Sequence, residues 1–121
     1  CPANLTGKKL SPRKIMMDTR DRIEEIGQNI ATNGSFLDDG KSLLGDYITN
    51  EELWACTSCN ACVQACPVDI DPLNIIMKLR NFATMEESSA PGALNAMKTN
   101  VENNGAPWAF NQMDRANWIN E

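Results

Sequence analysis

The sequence contains no histidine. A histidine general base, a Ser-His-Asp set and a mixed Cys/His zinc site are therefore all excluded. No glycine-rich phosphate loop is present, and no apolar stretch approaches the roughly 18 residues that a membrane span needs. With neither an initiating Met nor a signal peptide, the sequence is expected to be an excised soluble segment of a longer, cytoplasmic protein. Aromatic residues are few: three Phe, three Trp and one Tyr in 121 residues, of which 42% are hydrophobic. That is one domain's worth of chain with a thin core and no room for a separate substrate domain. The chain itself is expected not to be a catalyst.

What is present is concentrated. Four of the five cysteines form the run Cys56-x2-Cys59-x2-Cys62-x3-Cys66, closed by Pro67. This run resembles the ligation pattern of bacterial [4Fe-4S] ferredoxins, in which the fourth cysteine of each run serves the other cluster. Cys1-Pro2 looks like the tail of a second such run, so the sequence is expected to start inside a motif. The resemblance implies a crossed ligand set: Cys1, Cys56, Cys59 and Cys62 on one cluster, Cys66 on another. Two [4Fe-4S] clusters are then expected in the intact protein and at most one in this chain. Cluster binding would supply part of the folding free energy.

Other uses of the cysteines fit less well. Structural zinc usually takes two separated C-x2-C knuckles or includes histidine. A redox dithiol at Cys56 and Cys59 calls for a thioredoxin-like strand and helix pattern, and none is visible. A disulfide framework suits short secreted chains with an even cysteine count.

The net charge of -5 is unevenly spread: residues 1 to 22 carry six basic and two acidic side chains, the remainder five and fourteen. An acidic bulk disfavours nucleic acid and favours a protein partner. Lys8, Lys9, Arg13, Lys14, Arg20 and Arg22 read as the solvated face of a helix, with a patch that offsets anionic clusters or docks an acidic partner as the alternative.

The periodicity predicts a mostly α chain. Ser11-Pro12 starts a helix through Ile15, Met16, Thr19, Ile23, Ile26 and Ile30, stopped by Asn33-Gly34. Residues 35 to 48 are compatible with a short hairpin or an irregular loop. Thr49 to Glu52 has the form of a capping box. Asp71-Pro72 starts a second long helix with a stripe of Leu73, Ile76, Leu79, Phe82 and Ala83, ending near Glu87. A further helix over 93 to 103 would turn Leu94, Met97 and Val101 inward. Cys-Pro, loop, capped helix thus occurs twice, as suits a pseudo-twofold module. Trp54, Trp108 and Trp118 read as core or cluster-shielding packing, and the methionines as gap fillers.

Four stretches, residues 1–13, 53–73, 105–110 and 115–118, carry a wider resemblance. They are similar to the helical ferredoxin module of heterodisulfide-reductase-like iron-sulfur oxidoreductases. Related modules occur in anaerobic glycerol-3-phosphate dehydrogenase, lactate-oxidising complexes and succinate dehydrogenase. The resemblance implies an α-helical iron-sulfur domain over residues 1–121, relaying electrons between a redox partner, a flavoprotein or quinone-linked subunit, and a cysteine-rich domain. No membrane span and no nucleic-acid partner are implied. Two family features are missing: the first three cysteines of the first run, and the Cys-Cys-Gly motif of the cysteine-rich domain. A structural or docking module, in which a cluster or zinc holds helices together, is the competing function.

Overall fold

A computed structural model describes residues 1–120. Helices account for its regular structure, and no strand forms among the described residues. The chain divides into two compact units, Cys1–Phe82 and Ala83–Glu121.

The first unit is built from locally encoded helices. A single turn, α1 (Pro2–Leu5), follows Cys1, and α2 (Pro12–Asn33) starts where predicted. The Ser11 hydroxyl accepts the Lys14 N–H at 3.4 Å, and Pro12 at the first helical position gives up no hydrogen bond. Gly34 ends α2 in the left-handed conformation with φ 77°, which costs a residue without Cβ nothing. A kinked turn over Leu43–Tyr47 leads to α3 (Asn50–Ala55). The capping box there is complete: the Thr49 hydroxyl accepts the Glu52 N–H, and the Glu52 carboxylate accepts the Thr49 N–H at 2.9 Å. After α4 (Ala61–Gln64), the helix α5 (Pro72–Met85) begins on the second predicted cap, the Asp71 carboxylate accepting the Asn74 N–H at 2.9 Å.

The core of this unit is thin, as the composition suggests. Leu10, Ile15, Ile48, Leu53 and Ile76 are its fully buried large side chains. Each contributes about 1.5–3 kcal/mol by leaving water. Polar anchors supplement them. Lys14 Nζ lies 2.9 Å from the Glu52 carboxylate and 3.0 Å from the Tyr47 carbonyl, tying α2 to the start of α3.

Residues 35 to 48 form the irregular loop rather than the hairpin. Arg22 holds it: the residue is only 5% exposed, and its guanidinium grips Asp39 through two bonds of 2.5 and 2.8 Å, with the Lys41 carbonyl at 2.8 Å. Arg22 therefore departs from the solvated-face reading of the basic segment. Asn29 accepts the Leu37 N–H and donates to the Leu37 carbonyl, as a strand partner would. Lys9, Lys14 and Arg20 pair with Glu51, Asp18 and Asp21, so most of the basic segment serves intramolecular ion pairs.

Several apolar expectations need correction. Ile23, Ile30 and Phe82 are exposed, since helical periodicity groups side chains on one face but does not supply the element that would cover it. In the second unit α6 (Gly92–Asn104) ends on left-handed Gly105, but Met97 and Val101 face solvent rather than inward. A 3-10 run over Gln112–Asn120 follows. Trp108 and Trp118 are 66% and 72% exposed, so neither is core. Of the methionines, Met17, Met77, Met85, Met97 and Met113 are exposed rather than filling gaps.

Candidate metal centre

The cysteine run is shaped by a loop between two helices. α3 stops because Cys56 adopts an extended conformation at φ -68° and ψ 125°. Cys59 is then flanked by two left-handed residues, Ser58 at φ 55° and Asn60 at φ 62°. Asparagine tolerates that region and serine does so at a cost of about 1–2 kcal/mol. The double reversal curls the chain so that amides meet sulfur. Ser58 N–H donates to Cys56 Sγ at 3.4 Å, and the Cys59 thiol lies beside the Ala61 N–H and the Thr57 hydroxyl. These donors lower the Cys59 thiol from its ordinary value of 9.0 against a small opposing effect of burial.

Cys62 sits in α4 and Cys66 just beyond it. Cys66 Sγ accepts the Ile70 N–H at 3.3 Å, across a turn in which Asp69 is left-handed. Cys62 and Cys66 both line a cavity of about 320 Å³, otherwise walled by Pro12, Arg13, Met16, Met17, Ile70 and Pro72. Met16 and Met17 thus border the two cysteines, Met17 while remaining exposed. Arg13 is the charged residue of that wall.

All five thiols are free, Cys1 and Cys59 being exposed and the other three half-buried. Among the described residues no three Cys, Asp or Glu side chains gather closely enough for one metal ion. A cubane makes a different demand, since each of four thiolates binds its own iron. The donor set fits it: soft sulfur ligands, amide N–H groups turned toward them, and an apolar wall. The repeat is also realised, Cys1-Pro2 leading to the Ser11 cap and Cys66-Pro67 to the Asp71 cap.

One residue essential to this loop escaped sequence reasoning. Arg80 on α5 donates to the carbonyls of Leu53 and Cys56 and packs 5.0 Å from the centroid of the half-buried Trp54 ring. Its basic character gave no signal, because its partners lie over twenty residues away.

Residues 1–70 match the family described as the 4Fe-4S dicluster domain, and the chain belongs to that family. It is an electron-transfer module of the iron-sulfur oxidoreductase type with a [4Fe-4S] cofactor. Among curated relatives, it is 31% identical to a probable iron-sulfur-binding oxidoreductase, FadF, of Bacillus subtilis, over the whole chain and 21% of that protein. It is 29% identical to the EtfAB:quinone oxidoreductase of Syntrophomonas wolfei, over the whole chain and 20% of that protein. A shorter stretch, 41% of the chain, is 38% identical to 28% of an iron-sulfur subunit of the CoB–CoM heterodisulfide reductase of Methanocaldococcus jannaschii. The chain spans about a fifth of the length of the first two. No solved structure matches it. Among the described residues no helix is long and apolar enough to cross a membrane.

Proposed function

We propose that Cys56, Cys59 and Cys62, with Cys1, hold one [4Fe-4S] cluster, and that Cys66 supplies a ligand to a second. The observation that carries this is the loop itself: the Cys56 and Cys66 sulfurs each accept a backbone N–H. Such bonds stabilise negative charge on sulfur, which a bound cluster carries in both oxidation states. When bound, the cluster supplies one-electron storage. The chain's own part is to present donors to the thiolates and to border the Cys62 and Cys66 side with Met16, Met17 and Ile70.

Residues 1–121 act in this reading as one iron-sulfur domain of a longer oxidoreductase. Five thiolates are fewer than two cubanes take, so the second cluster draws its other ligands from outside this chain. Electrons pass between a flavoprotein or quinone-linked partner and a cysteine-rich domain. The quinone in one relative's name and the heterodisulfide in another's support these two ends. The five free thiols suit the reducing cytoplasm. Anaerobic reconstitution with iron and sulfide tests the assignment. About four irons per chain are expected, with an EPR signal on reduction. Two full clusters per chain would refute it, and stoichiometric zinc without iron would favour a structural module instead.

A further inference from the structure

Arg80 touches the loop that carries Cys56 and Cys59 at three places. Its Nε and Nη2 donate to the Leu53 carbonyl at 3.2 and 2.9 Å, and Nη2 donates to the Cys56 carbonyl at 2.5 Å. Nη1 donates to the Ser58 hydroxyl at 3.4 Å. That hydroxyl in turn donates to Met77 Sδ at 3.8 Å, one turn earlier on α5. Trp54 backs the guanidinium at 5.0 Å.

The acceptors explain why arginine is needed. α3 ends at Ala55, so the Leu53 carbonyl belongs to the last turn and lacks an intrahelical donor. Cys56 has already left the helix, and Ser58 is held at φ 55°. A planar fork with five donors can satisfy a helix end, the first ligand beyond it and the strained residue two positions further on together. A lysine ammonium, a point charge on a flexible stem, cannot.

We propose that Arg80 is a positioning residue of the metal centre, fixing Cys56 and Cys59 in the ligand-ready loop before iron arrives. This rests on the reading that these two cysteines are ligands. The alternative is that Arg80 merely stabilises the fold.

The test uses the full chain with Arg80→Gln, Arg80→Lys and a control, Ile15→Val or Ile15→Ala, chosen for a matching loss of thermal stability. Ile15 is fully buried on α2 and lines no part of the loop or the cavity beside Cys62 and Cys66. One readout is iron retained against a chelator after anaerobic reconstitution, and the other is hydrogen exchange of residues 56–61 in the iron-free chain. Arg80→Gln is expected to weaken iron retention about 10- to 100-fold, as loss of an outer partner of a metal ligand does. It should also speed exchange in the loop, with Arg80→Lys restoring little and the control leaving both readouts unchanged. Wild-type retention in Arg80→Gln, or equal loss in the control, overturns the proposal alone. Failure of the wild-type chain to take up iron overturns the ligand reading and Arg80's role with it.

Discussion

Replacing Glu52 probes the joint between α2 and the helix that delivers the first cysteine of the run. The carboxylate is 5% exposed and has three donors: the Thr49 N–H and hydroxyl, each at 2.9 Å, and Lys14 Nζ at 2.9 Å. Glu52→Ala removes the reciprocal half of the capping box, a loss of about 1 kcal/mol. The Lys14 pair adds only about 0.5 kcal/mol, because the lysine end is 45% exposed. At about 4–8 °C per kcal/mol for a unit of this size, the melting temperature should fall by about 10 °C. Glu52→Gln keeps a hydrogen-bonding side chain at the same helix position and should lose only the charge pairing. Burial alone would raise the Glu52 pKa, but the Thr49 donors and the Lys14 ammonium outweigh it and leave it below the ordinary 4.5. A lowered carboxyl pKa means stability that is present above pH 4.5 and lost as pH falls through the folded-state value. Glu25 and Asp39 are lowered too, so the difference between wild type and Glu52→Gln isolates this group. Thermal unfolding of the iron-free chain, followed by circular dichroism from pH 7 to 3, measures both effects. Superposable acid curves, or an unchanged melting temperature in Glu52→Ala, would refute the reasoning.

Three further outcomes are expected. Cys59→Ser should abolish cluster retention in this chain while Cys66→Ser leaves it intact; equal iron loss from both would mean that Cys66, not Cys1, closes the site. Asn60→Gly should preserve iron content because φ 62° suits glycine, whereas the β-branched Asn60→Val should cost about 1–2 kcal/mol in chemical denaturation. Arg13→Gln removes the charged residue of the cavity wall beside Cys62 and Cys66, so the reduction potential of the reconstituted centre should move negative in an EPR-monitored titration. An unchanged potential would show that Arg13 is screened from the iron.

What the sequence made legible was local. The caps at Ser11, Thr49 and Asp71 each join groups three residues apart, and the cysteine spacing is a one-dimensional pattern. The kinked turn at Leu43–Tyr47 and the grip of Arg22 on Asp39 were not legible, because the latter pairs residues 17 apart and depends on where the loop returns. Arg80 is hidden for the same reason, 27 residues from Leu53. Periodicity correctly placed Met97, Val101 and Ile30 on helices but could not say what covers those faces, and in this structure they are exposed. Trp108 and Trp118 misled in the same way, since burial is the usual fate of tryptophan and not a property of its position.

The cavity beside Cys62 and Cys66 has a further property. Pro12 and Arg13 open α2, and Pro72 opens α5, so the first turns of the two longest helices of their unit both border it. Peptide dipoles add along a helix to about half a positive charge at its beginning. Iron bound through either cysteine would therefore lie near the beginnings of two helices, whose contribution comes from backbone geometry that no side-chain substitution removes. Mutation of Arg13 can trim the positive charge there, but abolishing that contribution would require unwinding the helices. The electrostatic setting of such a centre would in that sense follow from the two capped-helix starts of the repeat.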